Sequence, residues 1–452
     1  MGNTLMHLPI VFATTCLTPA LEGCQNLSLL NQATPRPTPA IKSPPPLPAT
    51  ITSVAPADHQ TLLLQSWAAY RERFIQADGR VIDREADDRS TSEGQAYAML
   101  RAVMVGDRNT FDRTLQWAEN NLQRQTNGKR SDHLWAWKWG RTSQGVWGIL
   151  DGNFASDADI DTVTALIFAA RRWQDSAYLN LARTKLNDLW NLSTVTAFPT
   201  SVQADDRRKP RQREPFAPGS SPLVSPPYHP SQAGNPSRYL LPGPAAAFQQ
   251  AATVQINPSY FAPYAFRLFA QVDPTHDWPS LVNSSYEILQ QATRLSSVGL
   301  PNDWVVLDLK TGSVKPLTIA KPGTSDYSFD AYRVWWRVAW DAAWFKEPRA
   351  IRYLQTQLNF PQRLWRSQRK IPARINLQGK PTVTYEATAQ YAMLYAAFQL
   401  IDPPIAQQIE ATKLTPRYQQ GFWDNDSAYY TQNLVWIGLL PPDGIMPLLQ
   451  PN

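Results

Sequence analysis

Three short segments each place a carboxylate at or near the expected start of a helix. Glu93 lies in Thr91-Ser92-Glu93-Gly94-Gln95, Asp157 and Asp159 lie in Ala155-Ser156-Asp157-Ala158-Asp159, and Asp330 lies in Ser328-Phe329-Asp330-Ala331-Tyr332-Arg333. A fourth segment, Asn257-Pro258-Ser259-Tyr260-Phe261, sits between the second and third. Acids this far apart in the chain act together only if folding gathers them. Gathered amid aromatic rings, they suit hydrolysis of a sugar–sugar bond, in which one acid protonates the leaving oxygen and a second activates water.

Glu93 follows Ser90-Thr91-Ser92, residue types that cap helix starts. Gly94, Ala96 and Ala98 leave room for a ligand, while Tyr97 and Met99 supply apolar surface. Desolvation there favours the protonated carboxyl that a general acid needs near neutral pH. The plainer alternative is a first-turn Glu that only complements the helix dipole. Asp330 opens a helix that carries Trp335, Trp336, Trp340 and Trp344. Along it Asp330, Arg333, Arg337 and Asp341 recur at three or four residues, one polar stripe on a helix otherwise fit for burial. Such a stripe is costly to bury unless it is paired or faces a wet cleft. Arg333 can reach Asp330 across one turn and keep it ionised, as a base must be.

The alternating acids Asp157, Asp159 and Asp161 have the opening pattern of a calcium loop, but position six is Thr162 rather than Gly and position twelve is Phe168 rather than Glu. A helix follows instead. Ile160, Val163 and Ile167 fall on one face and Ala165, Leu166, Ala169 and Trp173 on others, so this helix should be buried on several sides.

The composition agrees with a large globular chain. Of 452 residues, 43% are hydrophobic and only 18% charged, with 17 Trp, 17 Tyr and 16 Phe. Many of these rings pack a core, yet an excess of Trp also suits a groove that stacks on pyranose faces. The net charge of +6 is modest, and no interleaving of aromatic and basic residues marks a nucleic-acid surface. A neutral polymer fits this charge. The only cysteines, Cys16 and Cys24, precede the expected domain, and the five histidines form no ligand spacing, so no cofactor or catalytic metal is expected.

Residues 1–24 read as an export segment: 8–21 is mildly apolar, interrupted by Pro9 and Pro19, and too short to span a bilayer. Leu21-Glu22-Gly23-Cys24 resembles a lipoprotein cleavage box, which implies anchoring through a lipidated Cys24, although Glu22 replaces a small residue and no Lys or Arg precedes the run. The Pro-rich stretch 25–56 should be an extended tether. The domain expected over 57–445 shows helical periodicity at 59–74, 94–105, 109–122, 160–173, 177–192, 260–272, 281–295, 331–345, 351–358, 387–400 and 429–439. Residues 197–244 carry many prolines and the run Arg207-Arg208-Lys209-Pro210-Arg211-Gln212-Arg213, and read as an irregular insertion. About a dozen helices suit either an α-solenoid or a closed barrel.

The segments around Glu93, Asp157, Tyr260 and Asp330, in this order, resemble glycoside hydrolase family 8, over about residues 60–400. That resemblance implies an all-α (α/α)6 barrel of about twelve helices and an inverting endo-acting enzyme. It implies Glu93 as proton donor, Asp330 as the base that activates water, and Asp157 as the residue that binds and distorts the central sugar. Asp159 would support the site, and Arg333, Tyr260, Trp137 and Tyr385 would line the cleft, Trp137 as a stacking platform. Phe329 stands where the glucanase-like branch has Tyr, so a hydroxyl beside the base is expected to be missing. The implied partner is a β-1,4-linked polysaccharide, cut by an exported monomer that is periplasmic, membrane-anchored or secreted. Xylan or mixed-linkage glucan are alternative substrates, and a non-catalytic glycan-binding component is the alternative from another class.

Overall fold

A computed structural model describes residues 59–197, 237–317 and 325–450. Two expected segments, the export segment and tether at 1–56, lie outside the described residues. Among those described are fourteen α-helices: α1 (His59–Phe74), α2 (Ser92–Val105), α3 (Arg108–Asn121), α4 (Ser156–Trp173), α5 (Ser176–Leu192), α6 (Ala245–Phe248), α7 (Pro263–Val272), α8 (Trp278–Thr293), α9 (Tyr332–Phe345), α10 (Pro348–Gln357), α11 (Asn359–Gln368), α12 (Thr388–Ile401), α13 (Pro403–Ile409) and α14 (Tyr429–Leu439).

Burial sorts these helices into two rings. Helices α2, α4, α7, α9, α12 and α14 are buried on most or all sides, whereas α1, α3, α5, α10, α11 and α13 bury one stripe each. The sequence of α4 explains its place inside: apolar or small side chains occupy every side, so no face needs water. Helices α2 and α4 pack on each other, α4 on α7, α7 on α9, α9 on α12, α12 on α14, and α14 back on α2. Six inner helices thus close a ring, and the helices between them in sequence lie outside. This is the (α/α)6 barrel. Close approach has a local cause at Gly438, where a Cβ on α14 would stand 2.5 Å from the Ala392 carbonyl oxygen of α12.

The periodic segments all correspond to helices, with ends shifted by a few residues because caps rather than periodicity decide them. Thr91, with its Oγ1 accepting from Gly94 N at 3.0 Å, starts α2, and Gly106 at φ 81° ends it. The segment expected over 260–272 starts later, since Pro258–Tyr260 forms a 3-10 turn before Pro263 opens α7. Three helices, α6, α11 and α13, lie where none was expected. Most of the insertion expected at 197–244 lies outside the described residues. Strands β6 (Thr194–Ala197) and β7 (Ser237–Leu240) pair antiparallel and bracket residues 198–236. The following Leu241 and Pro242 carbonyls accept from Ser156 Oγ and N, at 2.7 and 2.9 Å, and so pin the start of α4.

Other short strands sit at the helix starts that matter for the site. In one sheet β1 (Ser90–Thr91) pairs with β4 (Lys138–Arg141), and β4 with β5 (Trp147–Asp151). In another, β9 (Thr253–Ile256) pairs with β10 (Val305–Asp308), with Ile256 opposite Val305. That register sets Asn257 beside Trp304 at the sheet's end.

The polar stripe on α9 is paired along its length. Arg337 grips Asp161 of α4 with both terminal nitrogens and donates to Tyr264 Oη at 2.7 Å. Asp341 accepts from Arg267 at 2.8 Å and from Tyr286 at 2.5 Å. Arg337 and Asp161 are both fully buried, so truncating one strands the other's charge. Arg337→Met should therefore lower the unfolding free energy by about 3–5 kcal/mol, and adding Asp161→Leu should recover most of it. Urea denaturation of both variants checks this; a single-variant loss under about 1 kcal/mol would show that the pair does not hold the inner ring.

Candidate active site

The site is assembled from the starts of three inner helices. Glu93 is in the first turn of α2, Asp157 in the first turn of α4, and Asp330 lies just before α9. Arg333, one turn into α9, is almost completely buried and reaches all three. Its Nη1 donates to Glu93 Oε1 at 2.6 Å and to Asp157 Oδ2 at 2.8 Å, while Nη2 donates to Asp330 Oδ1 at 2.9 Å. Glu93 and Asp330 are therefore held on different nitrogens of one guanidinium. Asp157 also accepts from Ala158 N at 2.9 Å, so its second oxygen is fixed by the helix start.

One positive charge among three carboxyls cannot keep all of them ionised in a desolvated setting. Burial pushes Glu93 up to about 7, against the pull of Arg333 and with the Asp157 charge adding to the rise. Burial also raises Asp330, opposed first by Arg333 and then by the Trp304 indole. Trp304 Nε1 donates to Asp330 Oδ2 at 3.0 Å. Where Phe329 has no hydroxyl to offer, Asp330 thus receives an indole N–H from Trp304, the residue just before β10. Phe329 itself lends its backbone carbonyl to Tyr430 Oη at 2.8 Å. Tyr429 Oη donates to Glu93 Oε2 at 3.0 Å, and Tyr97 Oη to Glu93 Oε1 at 3.3 Å.

A further acid, Asp303, steadies the loop that carries Asp330. It accepts from Ser328 N at 3.2 Å, from Ala331 N at 2.8 Å and from Ser328 Oγ. Burial pushes Asp303 up to about 8, with the neighbouring Asp330 charge adding to the shift.

Among the described residues no group of three His, Cys, Asp or Glu is arranged to hold a metal ion, and no helix is long and apolar enough to cross a membrane.

A sequence profile of the glycosyl hydrolases family 8 matches residues 48–203 and 232–441. The chain belongs to glycosyl hydrolase family 8. It is 32% identical over 291 residues to an endoglucanase of Xanthomonas axonopodis pv. citri, a match spanning 64% of this chain and 62% of the relative. It is 29% identical over 271 residues to an endoglucanase of Salmonella typhi, spanning 60% of each. The matches thus cover less than two thirds of those relatives' lengths. The fold agrees with the crystal structure of an endo-1,4-D-glucanase from Vibrio fischeri ES114 at a TM-score of 0.63 and 23% identity, covering 84% of this chain and 97% of that one. It also agrees with a family 8 xylobiose complex from Teredinibacter turnerae at 0.63 and 20%, covering 88% and 96%.

Within this family 8 chain, the expected site residues divide. Glu93, Asp157, Asp330 and Arg333 meet. Tyr260 joins them, its ring 5.3 Å from the Arg333 guanidinium and edge-on to Trp304. Asp159 does not reach this cluster. Two residues along a helix turn a side chain by about 200° from Asp157, and Asp159 accepts from Trp135 N at 3.3 Å with no exposed surface. Burial pushes it up to about 8. Trp137 is only 2% exposed, which leaves no ring face open for stacking on a sugar. Its backbone serves the site instead, since its carbonyl accepts from Ser92 N at 3.1 Å at the start of α2. Tyr385 is 51% exposed and makes none of the contacts that gather the carboxyls. Tyr429, Trp304 and Asp303 escaped the sequence reading because each reaches the site through long-range packing; Tyr97, four residues after Glu93, was legible as its helical neighbour.

The Tyr429 hydroxyl favours the ionised form of Glu93, so Tyr429→Phe should move the Glu93 midpoint upward from about 7, by up to about one unit. Carboxyl carbon-13 NMR across pH 4–9 reads this directly. An unchanged or lower midpoint would mean that Tyr429 does not stabilise the charge. The sign for stability follows from the same shift. A raised folded-state value gives stability that is present below the ordinary value of 4.5 and lost as pH rises through about 7.

Proposed function

We propose that this chain is an inverting, endo-acting glycoside hydrolase that cleaves β-1,4-glucan. The supporting observation is the single Arg333 guanidinium holding Glu93, Asp157 and Asp330 together, with Glu93 poised near neutral pH. Glu93 protonates the glycosidic oxygen as the bond to the anomeric carbon breaks. Asp330, hydrogen-bonded to Arg333 and Trp304, takes the proton of the attacking water on the opposite face. Asp157 holds the distorted sugar between them. Retention of an acid–base pair speaks against a purely glycan-binding role, and the endoglucanase names of the relatives favour glucan over xylan.

The same reading includes export through residues 1–24, anchoring through a lipidated Cys24, a tether over 25–56, a catalytic domain over 57–445, and action as a monomer. Its support is the Leu21-Glu22-Gly23-Cys24 box and the Pro-rich composition that follows.

Release of reducing ends from carboxymethylcellulose, with xylan, lichenan and chitosan in parallel, tests the activity. Glu93→Gln and Asp330→Asn should each lower turnover at least about a hundredfold while substrate binding persists. Inversion requires the α-anomer to appear first in proton NMR of early product, because water enters between base and sugar. A β-anomer, or near-normal turnover in Asp330→Asn, would remove Asp330 from the role of base.

A further inference from the structure

All seventeen tryptophans lie within the described residues, and Trp147 alone among them is exposed, at 45%. It is not isolated. Of the nine large hydrophobic side chains exposed among the described residues, four fall between Val146 and Leu150 on the β4–β5 hairpin. A short hairpin that turns its apolar side chains to water gains no folding energy from them, so another role must account for them.

The indole is held rigidly rather than left to move. Its ring stacks on Trp139 with centroids 5.1 Å apart and planes 18° from parallel. Trp139 in turn meets the buried Trp117 edge-on at 5.3 Å, so three rings run from core to surface. The Arg80 guanidinium lies 4.5 Å from the centroids of both Trp139 and Trp147, and its Nε donates to Ser90 Oγ at 2.8 Å. Directly across the ladder from Trp147 stands Arg141, exposed, with Nε donating to the Gly145 carbonyl at 3.0 Å. Arg80 fixes the indole from the buried side, and the exposed Arg141 guanidinium beside it offers a partner for hydroxyl groups next to the stacking face.

The hairpin is also tied to the catalytic helix. Lys138 of β4 pairs with Thr91, the residue that caps the start of α2 two positions before Glu93. Trp147 pairs with Arg141, three residues further along β4, which puts it about 10 Å along the strand from that cap. The exposed face therefore belongs to the same sheet as the cap of the catalytic helix, at a distance that a polymer spans and a single sugar does not.

We infer that Trp147 is a stacking platform for a remote stretch of the β-1,4-glucan chain, outside the group of residues that cut it. This rests on the proposed function, and the test separates the two. In a Glu93→Gln background, which prevents cleavage, retardation by hydroxyethylcellulose in affinity electrophoresis should weaken by about three- to tenfold on Trp147→Ala and be largely kept in Trp147→Phe. In the otherwise unaltered chain, Trp147→Ala should raise KM for the polymer by a similar factor and leave kcat unchanged. Trp147 is on the surface, so loss of fold is not expected, and circular dichroism verifies it. Equal retardation with and without Trp147 overturns the platform alone. No retardation of the parent by hydroxyethylcellulose, carboxymethylcellulose, xylan, lichenan or chitosan overturns the glycan reading as well. A change in sedimentation on Trp147→Ala would assign the face to a second copy of the chain instead. Co-sedimentation with anionic phosphatidylglycerol vesicles that is lost in Trp147→Ala, without any effect on glucan retardation, would assign it to a membrane surface.

Discussion

One guanidinium with three carboxyls is the constraint around which this molecule is arranged. Arg333 is buried and cannot lose its charge, so the groups around it must supply compensation. Three carboxyls over-supply it. With Glu93 and Asp330 only partly exposed, the excess negative charge is poorly screened by water, and it is relieved by a proton. Glu93, whose oxygens accept from Arg333 and from two tyrosine hydroxyls, is the group that burial lifts to about 7. Asp330 has a second donor of its own in Trp304. Glu93 is lifted by burial and by the Asp157 charge in spite of its donors, and that poises it as the acid.

Such an arrangement needs several chain segments to end at one place, and a ring of inner helices provides it. Helix starts carry unpaired N–H groups and the positive end of the dipole, which suits carboxylates in the first turn. Glu93 and Asp157 sit in first turns for that reason. Deeper in the ring, the Arg337–Asp161 and Asp341–Arg267 pairs continue the stripe of α9, so the polar face that begins at the cleft is satisfied throughout. The small strands supply what helices cannot. The end of β9 and the start of β10 bring Asn257 and Trp304 together, and Asp303 clamps the loop before α9.

The sequence revealed the helices well because their period of 3.6 is written in long apolar patterns, and it revealed the carboxylates because they stand next to helix caps. It did not reveal the hairpins. Strand β3 (Lys129–Trp135) is mostly polar and exposed along its first half, so no alternation marks it. The Trp135, Trp137 and Trp139 alternation on extended backbone was equally compatible with a wet or a dry ring at each position; Trp137 is dry and the exposed ring is Trp147. Asp159 was grouped with Asp157 although two helical positions point in nearly opposite directions. Partners such as Tyr429, more than three hundred residues from Glu93, leave no local signal.

The claim at the centre of this account is that the Arg333 cluster carries one mobile proton and that Glu93 holds it. A neutron structure of the deuterium-exchanged protein at pH 6 observes this without reference to activity. The account predicts a deuteron on a Glu93 oxygen and none on Asp330. A deuteron on Asp330, or none on any of the three, would contradict it.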